Sequence, residues 1–154
     1  MTVAYKFLAA GAIGPLSRVA WPPLGTWLDT GTVIVGKRGA HVCRAEDLAH
    51  WIHDELWRVE VDGPQVAAPD CFVVPRARLV HRVTRWDPIA FAAACIEHAR
   101  DGAPELLADA DHCLRSGYAA IAAYNAALAI AHDDEARYAA ERTWQSAWLA
   151  NELL

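Results

Sequence analysis

The sequence predicts an α+β protein: a small, mainly antiparallel β-rich lobe with one short helix, followed by an alanine-rich bundle of about four helices. This prediction is based on the amino-acid composition of the two parts of the chain. Residues 88–154 contain 21 alanines and sum to a charge of −6, from four arginines against ten acids, whereas residues 1–87 sum to +1. The earlier segment also holds five of the seven tryptophans. We therefore expect a β-rich lobe over residues 1–87 and a helical lobe over residues 88–154, packed on it as one structural unit.

The β-rich segment begins with a plausible strand over Val3–Leu8. Gly11–Pro23 holds two glycines and three prolines and therefore indicates an irregular loop. Thr32–Val35 is a short β-branched run, closed by a turn over Gly36–Gly39. Ala40–Cys43 should then be extended, which makes it a short strand ahead of the first helix.

A helix is predicted over Ala45–His53, where apolar residues recur at helical spacing. The clearest strand runs from Trp57 to Asp62, with alternating apolar and charged residues before an Asp-Gly-Pro turn. Cys71–Val74 and Ala77–Thr84 predict two more strands. On the latter, strict alternation would place His81 on the apolar face with Leu79.

Four helices follow. Asp87-Pro88 is typical of a helix start, and this helix should end near Arg100. Pro104 begins a second helix, and the apolar run from Tyr118 to Ala131 predicts a third that is buried on most sides. The acidic group Asp133-Asp134-Glu135 precedes the last helix. The stripe expected to face the core in this helix consists of Ala140, Trp144, Ala147 and Trp148.

Composition excludes several functional classes. A 55% hydrophobic fraction argues against wholesale disorder, and a net charge of −5 argues against a general binder of nucleic acid or of anionic membranes. No apolar run is long enough to span a membrane, and the first 12 residues do not resemble a signal peptide. The four cysteines are widely separated and are expected to be reduced in the cytoplasm.

Phosphate-loop, dinucleotide-binding, nucleophile-elbow and zinc motifs are absent from the sequence, and neither a cofactor nor a metal is predicted. The strongest candidate site is His41-Val-Cys43-Arg44. Alternation along an extended segment puts the imidazole and the thiol on one side, with Arg44 at the start of a helix. This arrangement suits an anion or an activated thiolate, with His41, Cys43 and Arg44 as candidate catalytic residues. The alternative is a buried core cysteine beside a locally bonded histidine.

Other candidates have structural alternatives as well. His50 and His53 have a spacing that could hold a metal, but a solvated helix face explains them better. The candidate ligand-binding residues are Trp21, Trp27, Trp57, His81 and Asn125. Loop anchoring for Trp21 and Trp27, burial for His81 and a structural hydrogen-bond network for Asn125 are the competing interpretations.

A longer stretch of sequence resembles a known group. Gly39-Ala-His41-Val-Cys43-Arg44 and Asp54-Glu-Leu-Trp57-Arg-Val-Glu60-Val-Asp62-Gly63 resemble small actinobacterial proteins of unassigned function. The first motif, with the helix and strand after it, also resembles a short domain of phage proteins. This resemblance covers roughly residues 3–87 and implies no activity.

A weaker resemblance is to the ADP-ribosyltransferase fold, in which a glycine turn, a short strand, a helix and a V-x-V-D strand follow in the same order. This resemblance implies NAD as a substrate. The sequence departs from the pattern at Lys6, where a first-strand histidine or arginine is expected. No clear catalytic glutamate follows, and Asp70 is the nearest candidate.

Three functional hypotheses follow. The first is binding or catalysis on a small molecule at the junction of sheet and helices, by His41, Cys43 and Arg44 between tryptophan walls. The second is a non-catalytic interaction module that forms a homo-oligomer through the C-terminal helix. The third is a degenerate ADP-ribosyltransferase-like protein.

Overall fold

The computed structural model describes residues 2–154, which divide into two compact units: a first that ends at Trp86 and a second, Asp87–Leu154. The fold is α+β, as predicted, with antiparallel sheets in the first unit and α-helices in the second. The strands are β1 (Thr2–Leu8), β2 (Leu28–Asp29), β3 (Ala40–Val42), β4 (Glu55–Asp62), β5 (Val66–Ala68), β6 (Cys71–Val74) and β7 (Arg76–Arg82). The helices are a 3₁₀ helix (Ala45–His50), α1 (Pro88–His98), α2 (Pro104–Arg115), α3 (Ala119–Ala131) and α4 (Glu135–Leu153).

Two antiparallel sheets build the first unit, one in the order β1-β4-β7-β2 and the other in the order β3-β6-β5. A bridge between Tyr5 and Cys43 joins them, through two backbone hydrogen bonds of 2.9 Å. The inward residues of both sheets form one core, with Ala4 and Leu8 of β1 packed with Val42 of β3 and Phe72 of β6. The strand predictions for Val3–Leu8, Ala40–Cys43, Trp57–Asp62 and Cys71–Val74 are therefore confirmed.

The β-branched run Thr32–Val35 forms no strand and pairs only through a bridge from Ile34 to Arg38, across the predicted turn at Gly36–Gly39. A helix prediction in this unit is wrong. The helix predicted over Ala45–His53 is a 3₁₀ helix that ends at His50, so His53 lies outside it.

The predicted position of His81 is also wrong, because β7 contains a β-bulge. Arg58 of β4 pairs with His81 and Val59 pairs with Leu79, which leaves Val80 as an extra residue. A bulge breaks the alternation of side chains on which the prediction relied. His81 is consequently exposed rather than buried on the apolar face.

The second unit contains the four predicted α-helices. Asp87 caps α1 by accepting hydrogen bonds from the amides of Ile89 and Ala90, and Asp134 caps α4 in the same way. α3 is alanine-rich and buries seven of its alanines. Of the helices in the described part of the chain, none is both long enough and apolar enough to cross a membrane.

The buried face of α4 differs from the predicted stripe. Ala140 and Ala147 are exposed and both tryptophans are half-buried. The residues that are buried instead are Glu141, Arg142, Gln145, Ser146 and Leu149. Small alanines on α3 leave room for long polar side chains, and buried groups of this kind need hydrogen-bond partners. Gln145 donates to the Ala123 carbonyl at 2.9 Å and accepts from Arg142 at 2.9 Å.

Candidate functional site

A pocket of about 570 Å³ lies in the first unit. It is lined by parts of β1 and β3, by the loop after β1 and by the turn before β3. Its apolar walls include Phe7, Leu16, Val19, Trp21 and Trp51. This volume and lining are typical of sites for small organic molecules.

The charged residues that line the pocket all have the same sign. They are Lys6 on β1 and the neighbouring Lys37 and Arg38 in the turn before β3. No aspartate or glutamate is among the described lining residues. The pocket is therefore electropositive in a chain whose net charge is −5.

Lys6 occupies an unusual position for a lysine. Alternation along β1 places it on the same face as Ala4 and Leu8, which are both 0% exposed in the core. Removal of the ammonium group from water lowers the pKa of Lys6, and the nearby thiols of Cys43 and Cys71 oppose this shift. Lys6 was not among the predicted site residues, although a lone lysine between apolar residues of a strand is a visible signal.

His41 lines the pocket but uses both ring nitrogens within the protein. Its Nε2 accepts a hydrogen bond from the Gly36 amide at 3.2 Å, and its Nδ1 lies 3.3 Å from the Gly39 carbonyl oxygen. Since a carbonyl oxygen can only accept, the proton is on Nδ1 and the ring is neutral. Burial lowers the pKa of His41, the hydrogen bond to Gly39 opposes this, and the charge of Lys6 lowers the pKa further. His41 thus stabilises the turn that contains Lys37 and Arg38.

Cys43 is not an activated thiolate. Its Sγ donates a hydrogen bond to the Tyr5 carbonyl at 3.3 Å, and the residue is buried. Burial raises the pKa of Cys43 to about 12, despite the opposing charge of Lys6. Burial also raises the pKa of Cys71, which lines the same pocket. Both thiols are protonated at neutral pH, so the structure favours the alternative in which Cys43 is a core residue.

Arg44 lies outside the pocket. It is the N-cap of the 3₁₀ helix, and its side chain pairs with Asp47 at 3.5 Å. Its guanidinium also lies 4.9 Å from the centre of the Phe72 ring. The three candidates of the His41–Arg44 motif are therefore divided, because His41 and Cys43 line the pocket whereas Arg44 caps a helix.

Only one of the three tryptophans that were predicted to line the site does so. Trp21 lines the pocket, whereas Trp27 and Trp57 do not. Trp27 contacts Arg76 and Arg78, whose guanidinium carbons are 4.7 Å and 4.6 Å from the centre of a Trp27 ring. Trp57 packs against the core and donates its indole N–H to Glu55. Trp51, which was not predicted as a wall, lines the pocket instead.

The remaining candidates lie elsewhere. Asn125 is on α3 in the second unit, where its amide nitrogen is 4.0 Å from the sulfur of Cys113. His50 lies 3.7 Å from Asp70, and His53 accepts a hydrogen bond from the Asp54 amide. Among the described residues, no group of three or more histidine, cysteine or acidic side chains is arranged to hold a metal ion. Asp70 is exposed in the turn between β5 and β6.

Glu55 positions the loop that forms one wall of the pocket. Its carboxylate accepts hydrogen bonds from the amides of Gly11 and Ala12 at 2.9 Å and 3.2 Å, and from the Trp57 indole at 2.8 Å. Arg82 lies 3.7 Å away. Burial alone would raise the pKa of Glu55, but these hydrogen bonds and the Arg82 charge lower it. Glu55 is therefore an ionised anchor for the loop, and only the tertiary structure identifies it.

In the second unit, the two tryptophans of the C-terminal helix, through which a homo-oligomer is predicted, contact aromatic rings of the same unit. Trp144 stacks on the His98 ring with centroids 3.5 Å apart, and Trp148 lies 5.8 Å from the Phe91 ring. The most exposed large apolar residues of this unit are instead Tyr118 and Ile121, at the start of α3 and on it, and Leu154 after α4.

Comparison of the chain with protein-family models, with curated proteins and with solved structures finds no match. The resemblances to the actinobacterial group, to the phage domain and to the ADP-ribosyltransferase fold thus stay predictions.

Proposed function

We propose that the protein binds a small organic anion with an apolar body in the pocket of the first unit. The observation that carries this proposal is the combination of three cations, Lys6, Lys37 and Arg38, with apolar walls and without a lining carboxylate. A carboxylate ligand would supply the counter-charge that these three cations lack within the pocket. The tryptophan and leucine walls would cover the rest of the molecule.

Two sets of hydrogen bonds support this interpretation, because they fix the turn that contains two of the cations and the loop that lines the pocket. His41 fixes the Gly36–Gly39 turn through its two ring nitrogens, and Glu55 fixes the loop after β1. Such prearrangement lowers the entropic cost of binding. In this proposal His41 positions the turn and the protonated thiol of Cys43 lines the pocket. The two residues do not act as a catalytic pair.

The charge of the ligand can be tested with pairs of molecules that differ only there. We expect hexanoate, phenyllactate and naphthoate to bind at least about tenfold more tightly than their amides in isothermal titration calorimetry, which corresponds to about 1.4 kcal/mol. Lys6→Gln should weaken the binding of these acids by about tenfold. Arg58→Gln is a matched control, because Arg58 is exposed on β4 outside the pocket, and it should change affinity less than twofold. The proposal fails if all three acids bind no more tightly than their amides.

The four free cysteines support the predicted cytoplasmic location, because a reducing compartment preserves unpaired thiols. Homo-oligomer formation stays a prediction.

A further inference from the structure

The two lysines of this chain both line the same pocket. The sequence contains only Lys6 and Lys37 against twelve arginines, so every other fixed positive charge on a side chain is a guanidinium. Arginine cannot lose its proton in a protein, whereas a lysine can become a neutral amine. A position that needed charge alone could hold arginine, and a lysine there adds the chemistry of an amine.

Lys6 meets the structural conditions for a reactive amine. It projects from the core face of β1 between Ala4 and Leu8. Within residues 2–154, its ammonium makes no hydrogen bond or ion pair within the usual distance limits. Burial raises the pKa of both the Cys43 and the Cys71 thiol, so neither supplies a counter-charge at physiological pH, and their charges oppose the fall in the Lys6 pKa only in alkaline solution.

Lys37 has a different environment. It is exposed in the turn before β3, next to Arg38, and lines the pocket from there. Its ammonium is therefore exposed to solvent, whereas Lys6 projects from the core face of β1. The pocket thus contains a partly desolvated amine on β1 and two solvated cations in the turn.

We infer that the Lys6 amine condenses with the carbonyl group of a small oxo acid, while Lys37 and Arg38 attract its carboxylate. This inference rests on the proposed function and names the substrate class of that site. The nitrogen lone pair forms a bond to the carbonyl carbon, and a proton moves from nitrogen to oxygen to give a carbinolamine. Loss of water then breaks the carbon–oxygen bond and leaves an imine, so that amine and oxo acid give imine and water with no oxidant or reductant.

The test uses oxo acids and their hydroxy counterparts, which differ only in the reacting group. Phenylpyruvate and 5-oxohexanoate are incubated with the full chain and sodium borohydride, which reduces an imine to a stable secondary amine. We expect an adduct whose mass is that of the oxo acid less one oxygen atom, located on Lys6 by peptide mapping. Labelling of Lys6 should exceed that of Lys37 and of the N-terminal amine by at least about tenfold. Phenyllactate and 5-hydroxyhexanoate should bind and give no adduct.

Two conservative variants locate the reaction. Lys6→Arg keeps the positive charge and should abolish the adduct, with folding checked by circular dichroism. Lys37→Arg keeps the positive charge of the turn and leaves Lys6 as the only lysine, so a lysine adduct on this variant can lie only on Lys6, even if Lys6→Arg fails to fold. Unfolding the protein in urea should make the two lysines of the native sequence react equally.

The outcomes separate this inference from the proposed function. If the hydroxy acids bind but neither oxo acid labels Lys6 above Lys37, anion binding stands and the imine is refuted. If neither the hydroxy acids nor the oxo acids bind, both proposals fail.

Discussion

Substitution of Glu55 by glutamine tests whether one buried carboxylate holds the wall of the pocket. Glu55 is 6% exposed, and its two oxygens accept hydrogen bonds from Gly11, Ala12 and Trp57. Glutamine has one acceptor oxygen and one amide donor, so at least one of these N–H groups would face another donor. The variant also loses the charge that strengthens the remaining bonds and attracts Arg82.

The expected loss of stability is about 2–3 kcal/mol, the range for a charged hydrogen-bond acceptor whose partners are left unsatisfied. Glu60→Gln is the matched control, because Glu60 pairs with Arg78 at 2.5 Å nearer the surface. That control should cost at most about 1 kcal/mol. Urea unfolding at neutral pH measures both variants, and tryptophan fluorescence reports the first unit because five of the seven tryptophans lie there.

The change in stability at acid pH provides a second test of the role of Glu55, because the direction of that change is defined. The pKa of Glu55 is lower in the folded protein than its ordinary value of 4.5. Its contribution is therefore complete above that value and is lost as pH falls through the folded pKa. Glutamine does not titrate, so the stability gap between the native protein and Glu55→Gln should narrow in acid. A loss no larger than that of Glu60→Gln, or a gap independent of pH, would refute the assigned role.

Two further substitutions test other parts of the structure. Lys6→Met should stabilise the protein by about 1–3 kcal/mol at neutral pH in urea unfolding, because a desolvated ammonium is replaced by an apolar group. Since the pKa of Lys6 is lowered from 10.5, this gain should disappear above that pH, and a gain independent of pH would contradict the argument. Gly102→Ala should destabilise the helical unit by about 3 kcal/mol, because a Cβ would lie 2.7 Å from the Ala129 carbonyl. Gly117→Ala, with nothing within 4 Å but a φ of +83°, should cost only about 1 kcal/mol, and equal thermal shifts for the two variants would count against this reasoning.

Local sequence signals were sufficient to predict most of the elements. The change from β-branched residues to alanine locates the transition from sheets to helices, and Asp87-Pro88 marks the start of α1. Alternation from Trp57 to Asp62 predicted β4, because a half-buried strand must alternate apolar and polar residues. These signals act within a few residues of the chain, so no tertiary information is needed to interpret them.

Predictions of the buried face of a strand or helix were wrong where a neighbouring element determines which side chains are buried. The bulge at Val80 arises from the pairing of β7 with β4, and it exposes His81. The buried face of α4 is polar because the alanines of α3 admit Gln145 and expose a helix carbonyl to it. Hydrophobic periodicity favours the tryptophan stripe, since it cannot take account of hydrogen bonds across 22 residues of sequence.

For the candidate site as well, local sequence determines some features and tertiary contacts determine the others. By itself, the sequence determined the fold class and the order of most strands and helices, and it identified His41, Cys43 and Trp21 as candidate site residues. Only the tertiary structure brought Lys6 of β1 to the same pocket as the Lys37-Arg38 turn, and only it showed that the Cys43 thiol donates a hydrogen bond to the Tyr5 carbonyl. The physical reason is that burial and charge compensation depend on contacts between segments more than 30 residues apart, which no local pattern encodes.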